Sequence, residues 1–491
     1  VSEVAGLRVL VAGLGPMGRG IARVFARAGA DVRVTDVSAE LTEAGLAKIR
    51  AEATSDGETA DGVRAADLTA VADTDLFVDA VLENMDVKRD LLEQVAKLAG
   101  PDLVVASNTS SLSIGEMGHA FGDPARVVGM HFFNPPTKMR LVEVVAGGGT
   151  GDAVVARARA LVTELGKTPV VCRDSPNFIV NRICRPLYYE AQLLVTQGVE
   201  PGAVDAAVSG ALGHPMGPLT LLDFTGLHTH LGSSETALRE FGDPRYRPIP
   251  LARSLVRAGM TGRAAGRGFY DYAAEKPRQA IARLVRTPGE AADVRVVAAG
   301  PDAGKLPETT GGETITLYSC HRPPTADDVA AVAGAPGPVV VDSSDGNWLD
   351  VLPAGAGWIR LHRSPGEQLF AEVVHDELAG IRPPAFVGTA LDVLGAASVE
   401  VLALPGLVVD RLAHCVINEA CTVVEEGTAS REDVDVALTL GMNHPRGPFD
   451  LLAAAGAAKV LASLRSMTDL FGDPRYRPAQ LLRRQAAGAA R

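Results

Sequence analysis

The sequence predicts an α/β chain built twice over: a parallel-sheet domain, a helical domain, a worn parallel-sheet domain and a second helical domain. Three observations predict it. A glycine-rich turn joins a strand to a helix near the start, and strand-like and helix-like segments then alternate to about residue 174. The octapeptide FGDPRYRP stands at 241–248 and again, letter for letter, at 471–478. Alternation of this kind is the pattern of a sheet covered by crossover helices, and a verbatim long-range repeat marks duplication.

At 491 residues the chain has room for several hydrophobic cores. Its formal charge of −12 argues against nucleic-acid binding, which would need a basic face. Cysteines 172, 184, 320, 415 and 421 form neither CxxC nor any His/Cys metal spacing, so no metal is expected. Scattered thiols in odd number suit a reducing compartment, with cytoplasm the expectation. No uninterrupted apolar run reaches the roughly 18 residues of a membrane span, and VSEVAGLRVLVAG carries no basic leader of a secretory signal.

The first element pair is the most informative. LRVLVAGLGPMGRGIARVFARAGADVRVTD (7–36) reads strand, turn, helix, strand. Val9 to Ala12 make the strand, and Gly13-Leu14-Gly15-Pro16-Met17-Gly18 opens the helix. Gly13 permits the tight turn, Gly15 lets a pyrophosphate approach the backbone, and Gly18 allows close packing of the helix. The helix N-terminus offers free N–H groups to the phosphates. Asp36 ends the second strand, where a carboxylate accepts from ribose hydroxyls and repels a 2′-phosphate. The cofactor expected is therefore NAD in a Rossmann domain; the bland alternative is a tight turn that binds nothing.

Further along, DLFVDAVLENMDVKRDLL (75–92) is a strand followed by an amphipathic helix, and DLVVASNTSSLSI (102–114) is a strand ending in a polar cluster. Ligands collect at the carboxyl ends of such strands, which places Glu83, Asn108, Ser110 and Ser111 on the cofactor side. Helix capping is the competing role for the two serines. RVVGMHFFNPP (126–136) then puts His131 at the end of a strand, and MRLVEVV (139–145) puts Glu143 inside the next. If the Asn-Pro-Pro turn makes these strands neighbours, the two side chains face each other across about 5 Å. The carboxylate would then hold the imidazole in one tautomer, ready for acid/base work. A partly buried histidine satisfied by an acid is the structural alternative.

Together GLGPMGRGIA, SNTSSLSI, HFFNPPTKMRLVEVV, SPNFIVNR, GHPMGPLTLLDFTGL and GRGFYDY resemble, in order, the landmarks of the L-3-hydroxyacyl-CoA dehydrogenases. The resemblance covers about residues 7–273. It implies NAD-dependent oxidation of a 3-hydroxyacyl-CoA to a 3-oxoacyl-CoA, with no hydratase or isomerase domain. It further implies His131 as general base, Glu143 as its orienter, and Ser110 and Asn181 as hydrogen-bond partners of the reacting 3-oxygen. Asp36, Glu83, Lys88, Asn108 and Asn134 fall where that family contacts NAD or its surroundings.

Ser175 is expected to cap, and Pro176 to open, the helix SPNFIVNRICRPLYYEAQLLV, with Asn181 in its second turn and Pro186 kinking it. One departure from the family concerns CoA. The segment AEATSDGETADG (51–62) is acidic, and Lys48 and Arg50 are the nearest cations.

The duplication reaches beyond the octapeptide. GHPMGPLTLLD (213–223) matches NHPRGPFDLLA (443–453), and PNFIVNRI (176–183) matches PGLVVDRL (405–412), with Asp410 standing where Asn181 stood. RVVAAGPDAGK (295–305) echoes the glycine turn but keeps only Gly300 and Gly304; RSPGEQLFAEVV (363–374) echoes the catalytic block, with His362 and Glu372 as counterparts of the pair. About twenty residues separate the first two strands here, where the first copy spends more than sixty. The expected domains are 1–174 (NAD-binding), 175–273 (helical), 274–290 (linker), 291–403 (truncated, degenerate Rossmann-like) and 404–491 (helical, second copy), with one active site per chain. An unrelated α/β insert at 291–403 is the alternative. Since helical domains pair in the family's dimers, either a homodimer or a monomer with an internal pseudo-dimer is expected. Rival functions are a CoA-independent β-hydroxy-acid dehydrogenase and a non-catalytic descendant of the fold.

Overall fold

The computed structural model describes residues 3–272 and 294–489, apart from Lys305, Glu308 and Pro336; the segment 274–290, assigned above to a linker, lies outside them. The first sheet has eight strands: β1 (Arg8–Ala12), β2 (Asp31–Thr35), β3 (Val63–Ala65), β4 (Leu76–Asp79), β5 (Val104–Ser107), β6 (Val127–Phe132), β7 (Leu141–Ala146) and β8 (Thr168–Arg173). Their order is β3-β2-β1-β4-β5-β6-β7-β8, so connections diverge at β1 and β4 and leave a crevice at their carboxyl ends. Every pairing is parallel except β6 with β7. Helices cover both faces, which is why β4 to β7 read as near-continuous apolar runs.

Two local expectations change. Ser110 and Ser111 cap nothing: Ser113 is the N-cap of the helix Ile114–Phe121. The helix expected from Ser175 begins instead at Val180 and runs to Thr196 with Pro186 inside it, so Asn181 lies in its first turn. Asn177 and Phe178 take left-handed conformations, φ 65° and 51°, which no helix tolerates. Their purpose becomes clear at the site.

The second sheet has six strands: β9 (Val294–Ala299), β10 (Glu313–Ser319), β11 (Val339–Asp342), β12 (Gly357–Arg363), β13 (Leu369–Val374) and β14 (Ala397–Val401), in the order β14-β13-β12-β11-β10-β9. It is the first sheet with its outer part removed. β9 pairs directly with β10 as β1 does with β4, and β12 with β13 repeats the single antiparallel step. Among the described residues, β2, β3 and the helices Pro16–Arg27 and Ala39–Ser55 have no counterpart. The turn itself survives. Gly300 (φ 94°) and Gly13 (φ 92°) are each held so close to the next strand that a Cβ would fall 2.6 Å from a carbonyl oxygen, of Ser319 and Ala80 respectively. The worn-copy reading holds over the unrelated insert.

By contacts the chain divides into two compact units, 1–182 with 426–442 and 183–425 with 443–491. The first contains a helix of the second helical copy, Arg431–Gly441, packed on β7 and β8. There the Arg173 N–H donates to the Thr428 carbonyl at 2.9 Å. The second unit contains the matching helix of the first copy, Pro201–Leu212, packed on β13 and β14.

Within the second unit the two helical copies meet around a local twofold, and this explains the verbatim octapeptide. Tyr476 donates to Glu190 at 2.8 Å, and Tyr246 makes the reciprocal bond to Glu419. Arg477 pairs with Asp243 at 2.7 Å and Arg247 with Asp473 at 3.3 Å. Each FGDPRYRP therefore recognises its twin, as residues of an isologous interface do, and a change in either copy would lose contacts on both sides.

His214 and His444, equivalent positions of the two copies, stack with ring centroids 3.6 Å apart and planes 11° from parallel. Burial pushes His214 down to about 4 and His444 well below its ordinary range, the charge of His214 adding to the second shift. Unfolded histidines titrate near ~6.5. Between that value and about 4 the unfolded chain binds protons the folded chain refuses, so stability falls as pH drops through this window. Each ring contributes at most about 1.4 kcal/mol per pH unit. The double substitution His214→Phe/His444→Phe keeps a ring stack without a proton site. It is expected to flatten the acid limb of the urea-midpoint profile, and a limb as steep as that of the parent would refute the assignment.

Candidate active site

A cleft of about 1120 Å³ opens at the carboxyl ends of β1, β2 and β4, lined by the glycine turn, Asp36, Asp67 and Leu82 among others. The three glycines are there for different reasons. A Cβ on Gly13 would strike Ala80, and one on Gly18 would fall 1.8 Å from the Gly13 carbonyl oxygen, so the fold itself demands both. A Cβ on Gly15 would meet nothing in the protein. Its glycine answers to something outside the chain, as a pyrophosphate resting on the N-terminus of the helix Pro16–Arg27 would require. Pro16 occupies the first helical position, and Met17 packs against the core below. Asp36 follows β2 directly and accepts from the Leu14 N–H at 2.8 Å and from its neighbour Val37. These residues fit NAD, with the Asp36 carboxylate at the rim where an adenine ribose would lie.

Beneath the cleft runs a buried polar floor. Lys88 is 1% exposed and its ammonium donates to Asp79 at 2.8 Å, while the Ser107 hydroxyl donates to the same carboxylate oxygen at 2.7 Å. Lys88 thus stands under the site, 4.0 Å from Glu83. Glu83 in turn gathers the loop after β5: one of its oxygens accepts from the Thr109 hydroxyl and from the N–H and hydroxyl groups of Ser110 and Ser111, at 2.8–3.1 Å. A serine hydroxyl that donates to Glu83 still has lone pairs to accept from a substrate hydroxyl. Asn108 ties β5 to β6, its side-chain oxygen accepting from the Phe132 N–H at 2.9 Å. Asn134 is exposed on the turn that follows.

His131 and Glu143 are direct partners across the antiparallel step, and His131 Nδ1 lies 2.6 Å from Glu143 Oε2. Glu143 is wholly buried. Its other oxygen accepts from the N–H groups of Ile179 and Val180, at 3.2 and 2.9 Å. This is what the left-handed pair Asn177-Phe178 achieves: it turns the first free N–H groups of the helix Val180–Thr196 onto the carboxylate, where the helix dipole favours negative charge. With Oε1 filled, Oε2 accepts the Nδ1 proton, and Nε2 is left as the ring nitrogen to meet a substrate. Asn181, one residue past Val180, follows directly on this anchor.

Three further residues escaped the sequence reading. Phe133 and Phe178 pack against the His131 ring, at centroid distances of 4.6 and 5.9 Å. Lys167 buries its ammonium against the carbonyls of Pro136 and Met139, at 2.6 and 2.7 Å, and so clamps the turn carrying Asn134; burial, with Arg27 adding, lowers it to about 8. The Gly-Lys before β8 carries no signal of that contact, because it joins residues about thirty positions apart. Lys48 and Arg50 are exposed on the helix Ala39–Ser55.

The second half keeps the scaffold of this dyad and replaces its chemistry. Glu372 accepts from the N–H groups of Val408 and Val409, at 2.7 and 3.2 Å, as Glu143 does from Ile179 and Val180. Opposite it in register stands Arg360, not a histidine. His362, two positions along the same face, reaches Glu372 through Nε2 at 2.7 Å. Asp410, where Asn181 stands in the first copy, accepts from Arg360 and from the Ser344 hydroxyl at 2.8 and 2.7 Å. Burial opposes its charge, yet Arg360 and Lys459 hold its carboxyl well below the usual range. The His362–Glu372 correspondence is thus real as a contact but shifted by two residues, and an ion-pair network fills the place of the reactive groups.

Comparison with known proteins agrees with this geometry. Residues 8–175 match the NAD-binding domain of the 3-hydroxyacyl-CoA dehydrogenases, and residues 178–272 and 406–488 both match their C-terminal domain. The chain is 32% identical to the 3-hydroxyadipyl-CoA dehydrogenase of Escherichia coli K12, over 97% of each chain. Over 53% of its length it is 42% identical to a probable 3-hydroxybutyryl-CoA dehydrogenase of Deinococcus radiodurans, 99% of which is covered. The crystal structure of a 3-hydroxybutyryl-CoA dehydrogenase from Escherichia coli K12 superposes on 98% of both chains, with a TM-score of 0.79 at 30% identity.

Proposed function

The chain belongs to the 3-hydroxyacyl-CoA dehydrogenase family and is an NAD-dependent oxidoreductase, and from that premise we propose that it interconverts (3S)-3-hydroxyacyl-CoA and 3-oxoacyl-CoA with His131 as general base. The observation that carries the reading is the 2.6 Å contact of His131 Nδ1 with a buried Glu143 beside the cofactor cleft. Bound NAD supplies the hydride acceptor. His131 takes the proton of the 3-hydroxyl through Nε2, and Glu143 holds the imidazole in the tautomer that leaves Nε2 free. Ser110 and Asn181 hold the 3-oxygen as it becomes a carbonyl. Asp36 selects NAD over NADP through its carboxylate at the ribose position.

The names of relatives sharing the full doubled build point to short acyl chains, butyryl or the ω-carboxylated adipyl, in fatty-acid or aromatic-acid β-oxidation. No helix among the described residues is long and apolar enough to cross a membrane. All five cysteines are buried free thiols, which suits work in the cytoplasm.

The test is NADH consumption against acetoacetyl-CoA, a medium-chain 3-oxoacyl-CoA and 3-oxoadipyl-CoA, with NADPH as control. Turnover with at least one thioester, and much slower turnover with NADPH, is the expected result. Equal activity on free 3-hydroxybutyrate would point to a CoA-independent enzyme. NAD binding without turnover on any thioester would point to a non-catalytic descendant.

A further inference from the structure

The catalytically worn half of the chain supplies a helix that packs directly behind the working dyad. The helix Arg431–Gly441 turns Val434, Ala437, Leu438 and Gly441 inward, one face at helical spacing, and lies on β7, the strand that carries Glu143. Its last residue, Gly441, makes the closest approach. A Cβ built there would fall 2.8 Å from Leu141 Cδ2, 3.1 Å from Val180 Cγ2 and 3.5 Å from Phe133 Cε1. Gly441 is not in a left-handed conformation, so the demand for glycine is one of space alone.

Each of the three neighbours touches the dyad or stands beside it. Leu141 lies two residues before Glu143 on β7, with its side chain on the same face. Val180 gives its N–H to Glu143, and the ring of Phe133 packs on that of His131. We propose that Gly441 is a positioning residue of the first active site, and that the second helical copy is kept because it braces the His131–Glu143 pair from behind. A methyl at 441 would have to displace Leu141 or Val180, and through them the carboxylate that fixes the imidazole. Interiors packed to this density transmit such shifts rather than absorb them, and small misplacements of reacting groups are costly in rate. The inference rests on the reading of His131 as the base.

Gly441→Ala and Gly441→Val are expected to lower kcat, by roughly tenfold and roughly a hundredfold, with KM for NADH within twofold of the parent. Adding Leu141→Val to Gly441→Ala removes the nearest obstructing methyl and is expected to restore most of the loss. Gly388→Ala, a helical glycine whose Cβ would meet nothing within 4 Å, serves as the control and should turn over normally. An unchanged kcat in folded Gly441→Ala overturns the proposal, as does a loss that Leu141→Val fails to relieve. Should Gly441→Val not fold, the alanine variant and its Leu141→Val partner decide alone. A parent enzyme indifferent to His131→Gln would instead overturn the functional reading itself, so the two failures are distinguishable.

Discussion

His131→Gln is expected to lower kcat by about 10²–10⁴-fold while KM for NADH and the thermal transition stay close to those of the parent. Glutamine can still donate to Glu143 and fills a similar volume, so the two backbone N–H groups on the carboxylate keep their partner and the entry to the helix Val180–Thr196 is preserved. What disappears is the one nitrogen free to take a proton. Glu143→Gln is the informative companion. Its carbonyl oxygen would accept from Ile179 and Val180, leaving the amide NH₂ facing His131 Nδ1. The imidazole must then accept at Nδ1 and carry its proton on Nε2, the wrong tautomer for a base. A loss of similar size is therefore expected without loss of fold, by the logic of an orienting carboxylate. Near-parental kcat in His131→Gln would sink the assignment of the base.

Arg411→Leu is expected to cost about 3–5 kcal/mol of stability, because it strands a buried carboxylate. Arg411 and Glu190 are 1–2% exposed and meet at 2.6 Å, with Gln197 and Tyr476 completing the arginine's bonds at 2.8 and 3.1 Å. Without the guanidinium, Glu190 keeps only the Tyr476 hydroxyl among these partners. Glu190→Leu/Arg411→Leu replaces the whole pair by apolar volume, and buried pairs so replaced are often near neutral. The double variant should therefore recover much of the single variant's loss. Urea denaturation of the full chain measures both. A single variant within about 1 kcal/mol of the parent, as exposed pairs give, would show that the carboxylate finds water or another partner.

Much of the site was legible because its residues are close in sequence or tied to a repeating period. The glycine turn and Asp36 lie within one strand–helix–strand unit, and a turn between adjacent antiparallel strands forces His131 opposite Glu143. The worn second sheet was legible in outline from its short first connection. Its chemistry was not, because register decides it. Counting from the glutamate suggested His362 as the partner, whereas the strand pairing sets Arg360 opposite Glu372 and leaves His362 to reach in from two residues away.

The start of the helix at Val180 was misplaced for a related reason. Ser175-Pro176 is a sound local capping signal, but the left-handed pair Asn177-Phe178 is imposed by a buried carboxylate more than thirty residues upstream. Lys167 on the turn carbonyls, Phe178 on the histidine and Gly441 behind Leu141 belong to the same class. By itself, then, the sequence determined the doubled architecture, the dinucleotide turn and the dyad, all consequences of local geometry and periodicity. Tertiary structure alone decided which groups hold the dyad still, how the two octapeptides pair, and that a helix from the worn half lies against the working strand. Those contacts are set by burial and close packing between distant segments, and neither leaves a periodic trace in the chain.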